Sequence, residues 1–122
     1  MSRGRAAGSD EPERAARAHA ERIAGRDRSA LLDLAPGAEV TPPDLLEWLM
    51  GCRFRAAELV AHARIGTHHV LKTKFVGATT VVVQARWVAD DAGRWLIREA
   101  EVARVEGAPA GSPRPVSRPG EV

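Results

Sequence analysis

Apolar and polar positions change period along this chain of 122 residues. Near the N-terminus, Ala16, His19, Ala20 and Ile23 fall at the i, i+3, i+4, i+7 spacing of one helix face. Arg14, Arg17, Glu21 and Arg22 take the other side. Ser9 or Asp10 suits the helix cap, Pro12 its first turn and Gly25 its end. A second, short helix follows. Asp27 caps it, Leu31, Leu32 and Leu34 form its apolar surface, and Pro36-Gly37 stops it. Ala38 to Val40 reads as a short extended piece. Thr41-Pro42-Pro43-Asp44 then has the residues of a helix start: cap, proline at the first position, acid in the capping-box place. Leu45, Leu46, Trp48, Leu49 and Met50 surround that third helix with apolar side chains, so it belongs in the interior.

From about Arg55 the period becomes two. Segments Ala57–Ile65, His68–Val76, Thr79–Ala89 and Arg94–Val105 read as strands. Turns fall at Gly66-Thr67, at Gly77-Ala78 and at Asp90 to Gly93. Arg53 to Arg64 is rich enough in alanine to favour a helix as well. Short connections make the strands an antiparallel meander. The reading is an α+β domain over residues 9–106, with three N-terminal helices packed on a curved antiparallel sheet of four to five strands. Residues 1–8 read as a loose tail. Residues 107–122, rich in proline, glycine and serine, read as a disordered one.

Composition changes this picture little. Apolar residues make up 44% of the chain, enough for a buried core. Lys72 and Lys74 are the only lysines, and there is no Tyr or Asn, a bias that fits a GC-rich, bacterial genome. The net charge of +2 comes from Arg interleaved with Asp and Glu, not from a basic face, which argues against a nucleic-acid partner. The polar N-terminus lacks the apolar stretch of a signal peptide, and no apolar run reaches membrane-spanning length. A cytoplasmic location and no membrane partner are expected. The single cysteine, Cys52, forms no disulfide within the chain and reads as a small half-buried residue.

The order of elements resembles the nuclear-transport-factor-like superfamily, with its SnoaL-like and ketosteroid-isomerase-like members and cystatin-like α+β cone. The resemblance spans about residues 10 to 106. It is carried by the first helix around Ala15–Ala24, by the Pro42–Gly51 helix and by the last hairpin. That hairpin runs Val81-Val82-Val83-Gln84-Ala85-Arg86-Trp87-Val88, then Gly93-Arg94-Trp95-Leu96-Ile97 after an acidic turn. The resemblance implies a cone with a pocket between helices and sheet, and a homodimer through the sheet. Such a pocket would hold a small hydrophobic molecule. It does not settle function, because one fold serves many activities. The superfamily's isomerase pattern uses a Tyr, absent here, and its epoxide-hydrolase pattern uses an Asp-Arg-Asp set not legible on these strands.

Candidate chemistry depends on strand register. Two-residue turns at Gly66-Thr67 and Gly77-Ala78 set Arg64 opposite His69, and His69 opposite Arg86. A four-residue last loop sets Glu99 opposite Gln84. His69, Arg86 and Glu99 then form a candidate acid–base set beside Gln84, with a carboxylate as general base and Arg stabilising an oxyanion. A one-residue slip moves such residues to the other face, where cross-strand ion pairs are ordinary surface features. His19, Trp48, Gln84, Trp87 and Trp95 are the candidate pocket residues. The competing reading of each is plain core or rim packing. His68 and His69 point to opposite faces and cannot chelate together, and His62 with His69 is a diagonal pair lacking a third ligand. Neither a metal nor a cofactor is expected. The remaining alternatives are an isomerase, cyclase or dehydratase on this scaffold, and a homodimeric interaction module.

Overall fold

A computed structural model describes residues 4–106, with side chains from residue 11 onward. Helix α1 spans Gly4–Ala24, followed by a 3-10 helix, Arg28–Asp33. Strand β1 is Leu34–Thr41 and helix α2 is Leu45–Gly51. Strands β2 (Ala56–Ile65), β3 (His68–Val76), β4 (Thr80–Ala89) and β5 (Trp95–Glu106) complete the chain. The expected tail from residue 107 lies outside the described residues, as do residues 1–3.

The four meander strands pair in sequence order, each antiparallel to the next. β1 adds to the free side of β5 in parallel, giving the order β1-β5-β4-β3-β2. The sheet is thus five-stranded and mostly antiparallel. Bulges fall between Leu59 and Ala61, between Val82 and Val83, and between Arg86 and Trp87. Such bulges bend a strand and increase its twist. The long α1 packs across one side of the sheet against β2 and β3 and also meets α2. Ala16, Ala20 and Ile23 of its apolar stripe are buried as their spacing predicts. They join Leu45, Leu49, Leu71, Trp87 and Ile97 in the core.

Three local expectations are corrected. α1 begins at Gly4, ahead of Ser9 and Asp10, so Pro12 lies within the helix. A capping residue is a preference for a start, and the arginines and alanines before it favour helix as well. Thr41 does not cap α2. It ends β1, paired with Glu101 of β5. The ladder claims its backbone, and Asp44 takes the cap position without a side-chain bond. Pro36-Gly37 does not end a helix but lies within β1, where Gly37 has a φ of 75° at an irregularity in the ladder. Asp27 does cap the 3-10 helix. Its carboxylate accepts from the Ser29 backbone N–H at 2.9 Å, which holds its pKa below the usual carboxylate value.

Candidate functional site

The helix-facing side of the sheet carries two chains of polar residues set into apolar surroundings. The first starts on α1. His19 occupies the apolar stripe, and its Nδ1 lies 2.8 Å from Asp33 Oδ2. Arg22, one turn further along, donates to the same oxygen at 2.9 Å. Arg94, from the turn before β5, donates to the Leu32 carbonyl at 2.9 Å and lies 3.7 Å from the other Asp33 oxygen. Asp33 is only 7% exposed, so its charge depends on these partners. Accepting at Oδ2, Asp33 assigns the proton to His19 Nδ1 and leaves Nε2 as an acceptor in the neutral ring. The rings of His19 and Trp87 stand nearly perpendicular, with a centroid separation of 5.6 Å.

The second chain joins α1 to the far strands. Glu13 Oε2 lies 2.7 Å from His62 Nδ1, and His62 Nε2 lies 2.8 Å from His69 Nδ1. His69 is 6% exposed and meets Trp95 edge-on at 5.2 Å. Burial lowers the His69 pKa below its ordinary value, and the nearby His62 and Arg64 add to the effect.

Between α1, α2 and the sheet lies a cavity of about 20 Å³. His19 and Thr73 are the polar residues of its wall, and Leu46, Leu49, Trp87 and Ile97 are among the apolar ones. Its volume suits a single water molecule. On the opposite, open face of the sheet is a wider groove of about 220 Å³, lined by Glu39, Gln84, Arg86, Glu99 and Glu101 among others.

The structure divides the candidate acid–base set between these two faces. His69 pairs with Trp87 and Arg86 with Val70, so the expected register is wrong by one residue. The cause is the β3–β4 connection, whose last pair is Phe75 with Val81. A loop of five residues replaces the two-residue turn, and a one-residue slip reverses every side chain. Arg64 does oppose His69, as the tight Gly66-Thr67 turn implies. On the last hairpin, Glu99 opposes Arg86 instead of Gln84, and the two make an ion pair of 3.1 Å. The loop there is also longer than expected, and the bulge after Arg86 shifts the ladder further. Arg86, Glu99 and Gln84 therefore share the open face, while His69 faces the helix.

Of the candidate pocket residues, His19 and Trp87 line the interior cavity. Trp48 and Trp95 pack half-buried against the core without lining it. Gln84 lies in the open-face groove. Cys52 is half-buried, its Sγ 3.3 Å from the Trp48 carbonyl, and burial raises its thiol pKa. Among the described residues, no group of three or more His, Cys, Asp or Glu is arranged to hold a metal ion. No helix of the described residues is long and apolar enough to cross a membrane.

Asp33 and Glu13 were not singled out as site residues from the sequence. Glu13 continues the Ala16–Ala20–Ile23 stripe by one turn, which was a usable signal. Asp33 is the lone acid in the Leu31–Leu34 run, a weaker one.

No family model matches the chain, and no curated protein matches it. Among solved structures, one titled "Rd1NTF2_05 with long sheet" superposes with a TM-score of 0.48 at 16% identity. The superposition covers 66% of this chain and 85% of that one. The likeness is one of shape alone and carries nothing about activity.

Proposed function

We propose that this chain is a binding domain for a small, largely apolar molecule taken up between α1, α2 and the helix-facing side of the sheet. The observation that supports the reading is the interior cavity, apolar except for His19 and Thr73. Such a wall offers nonpolar contact and a few oriented hydrogen-bonding groups, the pattern of small-molecule sites. At about 20 Å³ the cavity is closed to anything beyond a water, so uptake requires α1 or α2 to shift. α2, only seven residues long, is the smaller element to displace. The test is a series of apolar probes of rising size, read by tryptophan fluorescence and thermal stability. A binder at a hundred times its Kd stabilises by about 2.7 kcal/mol. Ala85→Leu, which fills the cavity wall, is expected to abolish the response. No response to any probe refutes the reading.

A second reading, acid–base catalysis on the bound molecule, draws on one specific contact. His19 lines the cavity and is held by Asp33 at 2.8 Å. A carboxylate that fixes one ring nitrogen leaves the other as a general base. In this reading His19 and Asp33 replace the His69, Arg86 and Glu99 set. Turnover of a hydrophobic carbonyl compound that is lost in His19→Gln, with binding retained, distinguishes catalysis from binding alone.

A further inference from the structure

Two polar side chains meet the interior cavity from opposite walls, His19 on α1 and Thr73 on β3. Asp33 sets the state of the first. Its carboxylate lies among guanidinium groups, with Arg22 donating to Oδ2 at 2.9 Å and Arg94 3.7 Å from Oδ1. A carboxylate accepts and cannot donate, so the proton of the His19–Asp33 contact sits on Nδ1. Nε2 of the neutral ring is then an acceptor alone. His19 is one of the cavity walls and Asp33 is not. Nδ1 is therefore turned out of the cavity, and Nε2, across the ring, is the nitrogen left to face in. Thr73 lies between Leu59 of β2 and Val83 of β4, where the ladders occupy its backbone. Its hydroxyl is the group it offers. Among the described residues, neither His19 Nε2 nor Thr73 Oγ1 makes a hydrogen bond within the protein.

A cavity of about 20 Å³ brings both groups to bear on one point, so a single oxygen can serve the two. The hydrogen bonds then run in one direction. Thr73 donates to that oxygen, and the oxygen donates to His19 Nε2. A hydroxyl meets both demands. A carbonyl oxygen accepts from Thr73 but has no hydrogen for Nε2, and a buried acceptor left unpaired is costly. A methyl group satisfies neither. We infer that His19 and Thr73 form a hydroxyl-reading subsite, so that the molecule taken up here is an apolar alcohol, not a carbonyl compound or a plain hydrocarbon. The ligand class rests on the binding reading above. The subsite does not, because a water molecule meets the same two groups in the same way.

The test uses three probes of one ring and similar size, cyclohexanol, cyclohexanone and methylcyclohexane, bound to the full chain at pH 8. The Kd of cyclohexanol is expected to be lower than that of cyclohexanone by about tenfold, the scale of one unpaired buried acceptor. Thr73→Val keeps the shape and removes the hydroxyl. It is expected to weaken cyclohexanol by about tenfold and to leave methylcyclohexane unchanged. Binding of all three without a preference for the alcohol overturns the inference and leaves the binding reading standing. So does an equal loss of cyclohexanol and methylcyclohexane in Thr73→Val. If no probe binds, the binding reading is refuted and the ligand class falls with it. The subsite is then decided without ligand, by imidazole nitrogen NMR and a crystal structure. A proton on His19 Nδ1, with a water in hydrogen-bonding range of both Nε2 and Thr73 Oγ1, supports it. A proton on Nε2, or no such water, overturns it.

Discussion

The two faces of one sheet treat charge in opposite ways. On the open face, Arg86 and Glu99 pair across β4 and β5 with side chains 40% and 44% exposed. Water solvates both, so the pair is worth little. On the helix-facing side, Asp33 and His69 are almost fully buried, and each is tied to other residues by short contacts. A buried polar group without partners is costly, so these chains are stabilising only while complete. The same residue types therefore carry different weight according to the side of the sheet on which register places them.

Four measurements sharpen this contrast, in falling order of expected effect. Trp87→Ala empties the centre of the helix-facing core and is expected to cost about 3–5 kcal/mol in denaturant unfolding. A loss below about 1 kcal/mol would mean that this side is not the core. Asp33→Ala leaves His19 and Arg22 without their acceptor, with an expected loss of about 2–3 kcal/mol. Asp33→Asn should lose less, since an amide oxygen still accepts.

The third measurement concerns pH. The folded state holds the His69 pKa below its ordinary value of 6.5. Below that pH the unfolded chain binds a proton that the folded chain resists, so His69's contribution falls with pH until the lowered folded value is reached. Above pH 6.5 that contribution is constant. The stability difference between the unsubstituted protein and His69→Gln, followed from pH 8 to pH 5, should shrink on acidification. A constant difference contradicts the buried assignment. The smallest effect belongs to the open face. A double-mutant cycle on Arg86→Ala and Glu99→Ala should give a coupling of at most about 1 kcal/mol, weakened further by salt. A larger, salt-insensitive coupling would show that this face is covered in solution.

Much of the fold was legible because its signals are local. The four meander strands lie within a residue or two of their alternating segments, since period two and turn residues need only neighbours to be read. The α1 stripe and the Asp27 cap are legible for the same reason. β1 was legible only as a short extended piece. What completes it is pairing with β5, some sixty residues further on, and no local pattern reports that partner.

The site divides along the same line. The residues at Ala16, His19, Ala20 and Ile23 determined by themselves that His19 would face the interior, because helix geometry follows from spacing. The sequence likewise determined that His68 and His69 part to opposite faces. It could not determine which of those faces Arg86 or Glu99 would share. That depends on loop lengths and on three bulges, and one residue of slip inverts a whole strand. Nor could it show that Asp33 would lie between α1 and Arg94, or that Glu13 would reach His62. Those contacts arise where α1 crosses the sheet, and only tertiary packing brings residues so distant in the chain within hydrogen-bonding range.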